Sequence, residues 1–294
     1  MLSHALLNAF KTKSPALGAW LTLPGTFHAR TVAQASPHLS WIVVDCEHGM
    51  IPLVPSASES VSALQNARPA NSNGGGLTTI VRIPATGVTA SSSWQIKHAL
   101  DGGAHGVLVP LVSTAEKAKE VVSDCRFPPL GRRGFGSPFT HGMWGVSAAD
   151  YLKAANDTIL VMVQIENKEA VENVSEIAAV DGIASVACAS GRLIQRAVTD
   201  WNFQDVLFIG PYDLSISLGY PTPNPDPHPD VEQVIQKILH AAHAKNKKCA
   251  IFCTSGEQAA LRVKEGFDMI NVTSDTGAMS EAISKHVSAA LNKA

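Results

Sequence analysis

Short apolar runs rich in β-branched residues alternate along the chain with longer stretches whose apolar positions return every three or four residues. The runs stand at 16–23, 41–45, 79–83, 106–112, 159–165, 206–209, 248–252 and 269–272. Segments of helical period between them include 91–101, 115–124, 168–179, 231–245 and 257–265. Strands alternating with amphipathic helices predict βαβ units sharing one parallel sheet. Eight such units favour closure into a (β/α)₈ barrel, a TIM barrel, over an open sheet. The opening stretch MLSHALLNAFKTKSP is mildly amphipathic and predicts a short first helix. Two stretches read as loops: NSNGGG at 71–76, and PTPNPDPHP at 221–229, which is too proline-rich for a helix or a central strand.

Composition narrows the picture. A chain of 294 residues with 45% hydrophobic content can fill one large barrel core. Residues 1–294 show no internal repeat and no composition shift, so a single domain is expected. The net charge is −2, from 23 basic against 25 acidic residues, with no basic block or arm. Nucleic acid and anionic membrane are therefore not expected as partners. The five cysteines, Cys46, Cys125, Cys188, Cys249 and Cys253, form no paired framework, which points to a reduced, cytoplasmic protein. No apolar run reaches the ~18 residues of a membrane span, and the N-terminus lacks a signal-peptide core.

Candidate chemistry comes from where the polar residues fall. The strand at 41–45 runs into Cys46, Glu47, His48 and Gly49; the strand at 79–83 carries Arg82 near its end. The strand at 159–165 ends in Gln164, Ile165 and Glu166, and that at 206–209 in Gly210, Pro211, Tyr212 and Asp213. In a parallel barrel these ends share one face, where barrel active sites are built. Glu166 and Asp213 are candidate ligands of a hard divalent cation; the alternative is that both cap the helices that follow. His48 is a candidate general base, or a histidine hydrogen-bonded within its loop. Arg82 is a candidate clamp for a carboxylate or oxyanion, or one arm of an ion pair with Asp45 or Glu47. Asp101 could orient His48 as a carboxylate does in a catalytic dyad, or could be a helix C-terminal residue before Gly102 and Gly103.

Seven motifs occur in register: VDCEHG at 44–49, VRIP at 81–84, ALDGGA at 99–104, GVLVPLV at 106–112, PPLGRRGFG at 128–136, VQIE at 163–166 and GPYDLS at 210–215. Together they resemble the HpcH/HpaI aldolase family, the class II pyruvate aldolases, over residues 5 to 290. The resemblance implies a barrel of the phosphoenolpyruvate/pyruvate type and a divalent metal (Mg²⁺, Mn²⁺ or Co²⁺) on Glu166 and Asp213. It implies His48 as base supported by Asp101, and Arg82 as stabiliser of an enolate. Gln164 and Tyr212 would lie against the substrate, with the backbone of Gly210 and Asp213 near its carboxylate and residues 131–136 over the site. The implied substrates are 4-hydroxy-2-oxoacids giving pyruvate and an aldehyde. The implied assembly is a homo-oligomer, often a hexamer exchanging its last helix, here 281–293.

Rival readings remain open. A Schiff-base aldolase needs a lysine aimed into the barrel, and Lys168, Lys247 and Lys248 are poorly placed for it. An oxaloacetate decarboxylase, or macrophomate-synthase-like enolate chemistry, would share the pyruvate half-site. An inactive barrel could serve as an oligomer partner. One segment departs from the family pattern. A VDGI-like helix end, here at 180–183, should lead directly into DVLFIGP, here at 205–211, yet residues 184–204 intervene, 204 − 184 + 1 = 21 positions. Most such connections are ~2–6 residues. The segment reads either as a surface loop or as a retained intron translated in frame. Preceding the strand at 206–209, it is expected on the barrel face opposite the chemistry.

Overall fold

The computed structural model describes residues 2–67, 76–84, 92–180 and 206–292. All eight predicted runs are strands: β1 Ala16–Leu21, β2 Trp41–Asp45, β3 Thr78–Arg82, β4 Gly106–Val109, β5 Leu160–Ile165, β6 Val206–Ile209, β7 Lys248–Ile251 and β8 Met269–Ser274. Each pairs in parallel with the next, and β8 returns to β1, closing the barrel. Among the described residues no helix is long and apolar enough to cross a membrane. The 184–204 segment and residues 71–75 of the NSNGGG loop lie outside the described residues.

Alternation along the strands divides the apolar residues into two cores. Outward residues such as Ile42, Val44, Val81, Val107 and Ile209 pack under the helices. Inward residues, among them Trp20, Trp41, Val43, Ile80, Leu108, Met162 and Phe208, fill the barrel. The helix Ala5–Thr12 closes the barrel floor by adding Leu6, Leu7 and Phe10 to this inner core. Trp41 fits there because position 18 is glycine; a Cβ on Gly18 would stand 2.0 Å from the indole. Continuing the same inward rows toward the strand C-termini brings Asp45, Arg82 and Gln164, so the interior turns from apolar to polar at the mouth.

The helices show where local pattern was insufficient. Residues 168–179, predicted as one helix, form two, Lys168–Glu172 and Val174–Ala178, broken at Asn173, whose side chain donates to the Ser113 carbonyl. Helices Thr26–Gln34, Ser58–Ala67, Ala148–Thr158 and Pro211–Ser217 were not predicted. Most of the proline-rich loop is non-helical, but Pro229 opens the helix Pro229–Ala244 from its first turn, where a missing N–H costs nothing.

Candidate active site

The register of β2 against β3 sets Asp45 beside Arg82. The guanidinium donates Nε to Asp45 Oδ1 at 2.8 Å and Nη2 to Oδ2 at 2.7 Å, a two-pronged pair. Its third nitrogen, Nη1, stands 3.2 Å from Glu47 Oε2, and the group sits 5.2 Å from the centre of the Trp20 ring. Asp45 also accepts the Trp20 indole N–H and the backbone N–H groups of Glu47 and His48. Burial alone would raise the Asp45 carboxyl. The Arg82 hydrogen bonds and charge, with those two N–H groups, hold it below its ordinary range. One buried carboxylate thus fixes both Arg82 and the turn that carries His48. The His48 ring itself is 63% exposed, its Nε2 3.8 Å from Glu47 Oε2.

Across the mouth, Glu166 is buried at the end of β5. Its Oε1 accepts the Leu111 N–H at 2.8 Å and its Oε2 the Gln164 amide at 2.6 Å. Leu111 presents that N–H from a left-handed backbone, φ 52°, unusual for a branched residue. Burial pushes the Glu166 carboxyl up to about 7; the Leu111 bond and Arg82 oppose this, while Asp213 and Glu47 add to it. Gly210 lets Glu166 sit close, since a Cβ there would meet Glu166 Oε2 at 2.9 Å and displace the carboxylate. Asp213 is exposed in the first turn of Pro211–Ser217. The capping alternative does not hold. Asn167 caps the helix after β5, accepting from Ala170 N, and Gly210 occupies the cap position after β6. Gln164 Oε1 is buried without a hydrogen-bond partner, so the site holds an acceptor waiting for a donor.

The remaining wall is aromatic. Trp20 meets Phe208 and Phe252, both at 5.3 Å between ring centres, and Phe252 meets Tyr212 at 6.5 Å. Sequence reasoning placed Tyr212 here but missed Trp20, Phe252, Asp45 as the organiser, and Leu111. The first three continue the inward alternation of β1, β7 and β2, which was a usable signal.

Asp101 and residues 131–136 stand elsewhere in the chain. A helix that follows a parallel strand runs back toward the barrel floor, and Asp101 ends such a helix five residues before β4. Its carboxylate is held by Lys97 at 2.6 Å and Arg133 at 3.1 Å. The expected support of His48 by Asp101 is therefore not formed within one chain; Asp45 and Glu47 are the carboxylates at His48. The turn at 131–136 is tied to Ser123 and Arg126 through the backbone of Arg132 and Arg133, and Arg126 binds the Ile159 carbonyl just before β5. Within one chain it therefore lies near that floor, away from the mouth. A groove of about 780 Å³, lined by Arg30, Ser58, Lys97, Asp101 and Phe139, is separate from the polar mouth. Lys168 is exposed beyond Glu166, and Lys248 is paired with Asp268 at the strand's N-terminal end, so neither is aimed at the site.

A closed parallel barrel with a buried arginine–carboxylate pair facing a buried glutamate at its C-terminal mouth defines a TIM-barrel enzyme. The chain belongs to the HpcH/HpaI aldolase/citrate lyase family, whose pattern matches residues 20–282, and it is a carbon–carbon lyase. It is 31% identical over 269 residues to a hydroxypyruvate/pyruvate aldolase of Rhizorhabdus wittichii, covering 91% of each chain. It is 29% identical over 284 residues to a 2-keto-3-deoxy-L-rhamnonate aldolase of Salmonella typhi, covering 96% of this chain and 91% of that one. An HpcH/HpaI aldolase/citrate lyase family protein of Burkholderia cenocepacia superposes with TM-score 0.78 at 26% identity, covering 97% of this chain and 98% of its own.

Proposed function

We propose that this protein catalyses divalent-metal-dependent aldol cleavage and condensation through the enolate of pyruvate, with 4-hydroxy-2-oxoacids yielding pyruvate and an aldehyde. The observation that carries this is Glu166: a buried carboxylate, pushed up to about 7, that shares its surroundings with Asp213, Glu47 and Arg82. Negative charge gathered there without full compensation suits a cation. The donors on offer, Glu166 and Asp213, are oxygens, which favours Mg²⁺, Mn²⁺ or Co²⁺ over a softer metal site. Among the described residues no three or more His, Cys, Asp or Glu side chains gather closely enough to cage an ion. Two carboxylates alone would leave positions for water and substrate oxygens. When bound, the cation supplies Lewis acidity toward the keto and carboxylate oxygens of a 2-oxo acid.

The chain's own residues do the rest. Arg82, immobilised by Asp45 and Glu47, presents fixed positive charge where the enolate oxygen develops charge. His48, with its ring open to solvent, removes a C3 proton of pyruvate. Gln164 offers its free Oε1 to a substrate or water donor, and Tyr212 with Phe252 and Trp20 bounds the side from which an aldehyde arrives. The two aldolase relatives, one named for hydroxypyruvate/pyruvate and one for 2-keto-3-deoxy-L-rhamnonate, support a 2-oxo acid half-site. The test is exchange of pyruvate methyl protons in D₂O, followed by NMR with Mg²⁺ or Mn²⁺ and then with EDTA. Metal-dependent exchange is expected. Exchange that survives EDTA, or none under any metal, overturns the proposal.

A further inference from the structure

The first turn of the C-terminal helix carries a side chain that the reaction outlined above does not use. Asp275 opens the helix Asp275–Leu291 and its carboxylate is fully buried, 0% exposed. Its Oδ2 accepts the backbone N–H groups of Thr22 at 2.9 Å and Leu23 at 3.1 Å, and His28 Nε2 at 2.8 Å. Its Oδ1 accepts the Thr22 hydroxyl at 2.5 Å and the Thr276 N–H at 2.8 Å. Five donors on one carboxylate pin the end of β1 to the end of β8. Thr22 in turn holds the turn after β2: its carbonyl accepts the Met50 N–H at 2.8 Å. Gly49 packs so closely on Thr22 that a Cβ would stand 2.8 Å from that carbonyl oxygen. Gly49 and Met50 directly follow His48.

We infer that Asp275, locked by His28, is a positioning residue for His48, acting through Thr22 on the turn that carries it. The turn is held at both ends. Asp45 fixes its start by accepting the N–H groups of Glu47 and His48, and the Asp275–Thr22 brace fixes its end. This inference rests on the reading of His48 as the base. It also joins the base to the least buried of the described helices, for beyond Asp275 every described residue of that helix is exposed. An amide cannot replace the carboxylate, because both oxygens accept backbone N–H groups and either orientation sets an NH₂ against one of them.

The test compares Asp275→Asn, His28→Ala and His28→Gln with the native protein by pyruvate methyl exchange and by the ring resonances of His48, assigned with His48→Gln. Asp275→Asn and His28→Ala are expected to lower the maximal exchange rate between about tenfold and 10²-fold, with KM for pyruvate unchanged and the His48 resonances shifted in Asp275→Asn. His28→Gln, which keeps a donor toward Asp275, is expected to restore most of the rate. An unchanged rate in folded Asp275→Asn, or a raised KM with the rate intact, overturns the inference. So does a His28→Gln rate as low as that of His28→Ala, which would make His28 a proton-transfer group instead. Should Asp275→Asn fail to fold, Thr22→Val, which exchanges the hydroxyl on Asp275 for a methyl group and keeps the backbone contacts, carries the test: a smaller fall supports the brace and no fall overturns it. If the native protein exchanges no protons, the proposed function falls, yet the His48 resonances still decide the brace, supporting it by moving in Asp275→Asn or Thr22→Val and overturning it by staying put.

Discussion

At the scale of the residue, His48 and Arg82 make opposite predictions for stability and similar ones for rate. Among the described residues the exposed His48 ring makes no hydrogen bond, so His48→Ala should leave the unfolding free energy within about 0.5 kcal/mol while slowing pyruvate exchange ~10²–10⁴-fold. Arg82→Ala instead strands Asp45, which is 1% exposed, as a buried carboxylate without its counter-ion. It should lose ~3–5 kcal/mol of stability as well as ~10²–10³-fold in rate. Denaturant melts beside the exchange assay separate the two. If the melts of both variants overlay the native protein, the buried-pair account is wrong. Arg82 shows how far the sequence reached: both readings of it, oxyanion clamp and ion pair with Asp45 or Glu47, were on offer, and the structure forms ion pairs with both carboxylates. Asp45 was legible too, because the alternation that turns Trp41 and Val43 inward turns Asp45 inward as well. The Leu111 N–H on Glu166 was not, since nothing in a leucine side chain announces a left-handed backbone.

At the scale of the element, the strands were legible because they are short apolar runs, β2 to β6 buried at every inward and outward position. The helices were less so. Thr26–Gln34 carries only Ala29 and Ala33 on its buried face, too small to stand out in a pattern of large apolar residues. Helix Ala5–Thr12 was predicted, but its role as the barrel floor depends on His4, which no local pattern marks. His4 Nδ1 accepts from Leu7 N and faces the Thr78 hydroxyl, and its Nε2 reaches the Thr158 carbonyl. Burial lowers His4 to about 4; the Thr158 bond opposes this, and Lys11 adds slightly to it. Burial, and then the neighbouring His4, also lower His105. A neutral histidine held below its unfolded value of ~6.5 adds stability that is fully present above that value and drains away as pH falls toward 4. For His4 the loss amounts to on the order of 3 kcal/mol. Urea midpoints should therefore drop between pH 6.5 and 5, before most carboxylates titrate, and His4→Gln should flatten that slope while starting from a lower midpoint. A native slope no steeper than the variant's removes His4 as the cause.

At the scale of the whole molecule, eight units read from the sequence were enough for the topology, because parallel strands joined by helices close in sequence order once there are eight of them. The chain leaves the described residues after Val180 and returns at Val206, the first residue of β6; the segment 184–204, expected on the face opposite the chemistry, lies outside them. What the described residues do not supply is a partner for the last helix. Met279, Ile283, Val287 and Leu291 recur every four residues and are 41%, 64%, 54% and 72% exposed, a stripe along one side of a helix whose only buried residue is Asp275. A stripe of large apolar side chains left in water favours association, and the oligomer implied by the resemblance would cover it with a second copy. The 31.0 kDa chain should therefore sediment at a multiple of its mass. Ile283→Lys with Val287→Lys should shift it toward the single chain. The barrel core contains none of these four side chains, so the double variant should keep the near-ultraviolet circular dichroism of a packed barrel, which separates lost association from lost folding. A native protein that sediments as one chain at micromolar concentration would leave the stripe unexplained and the oligomer rejected.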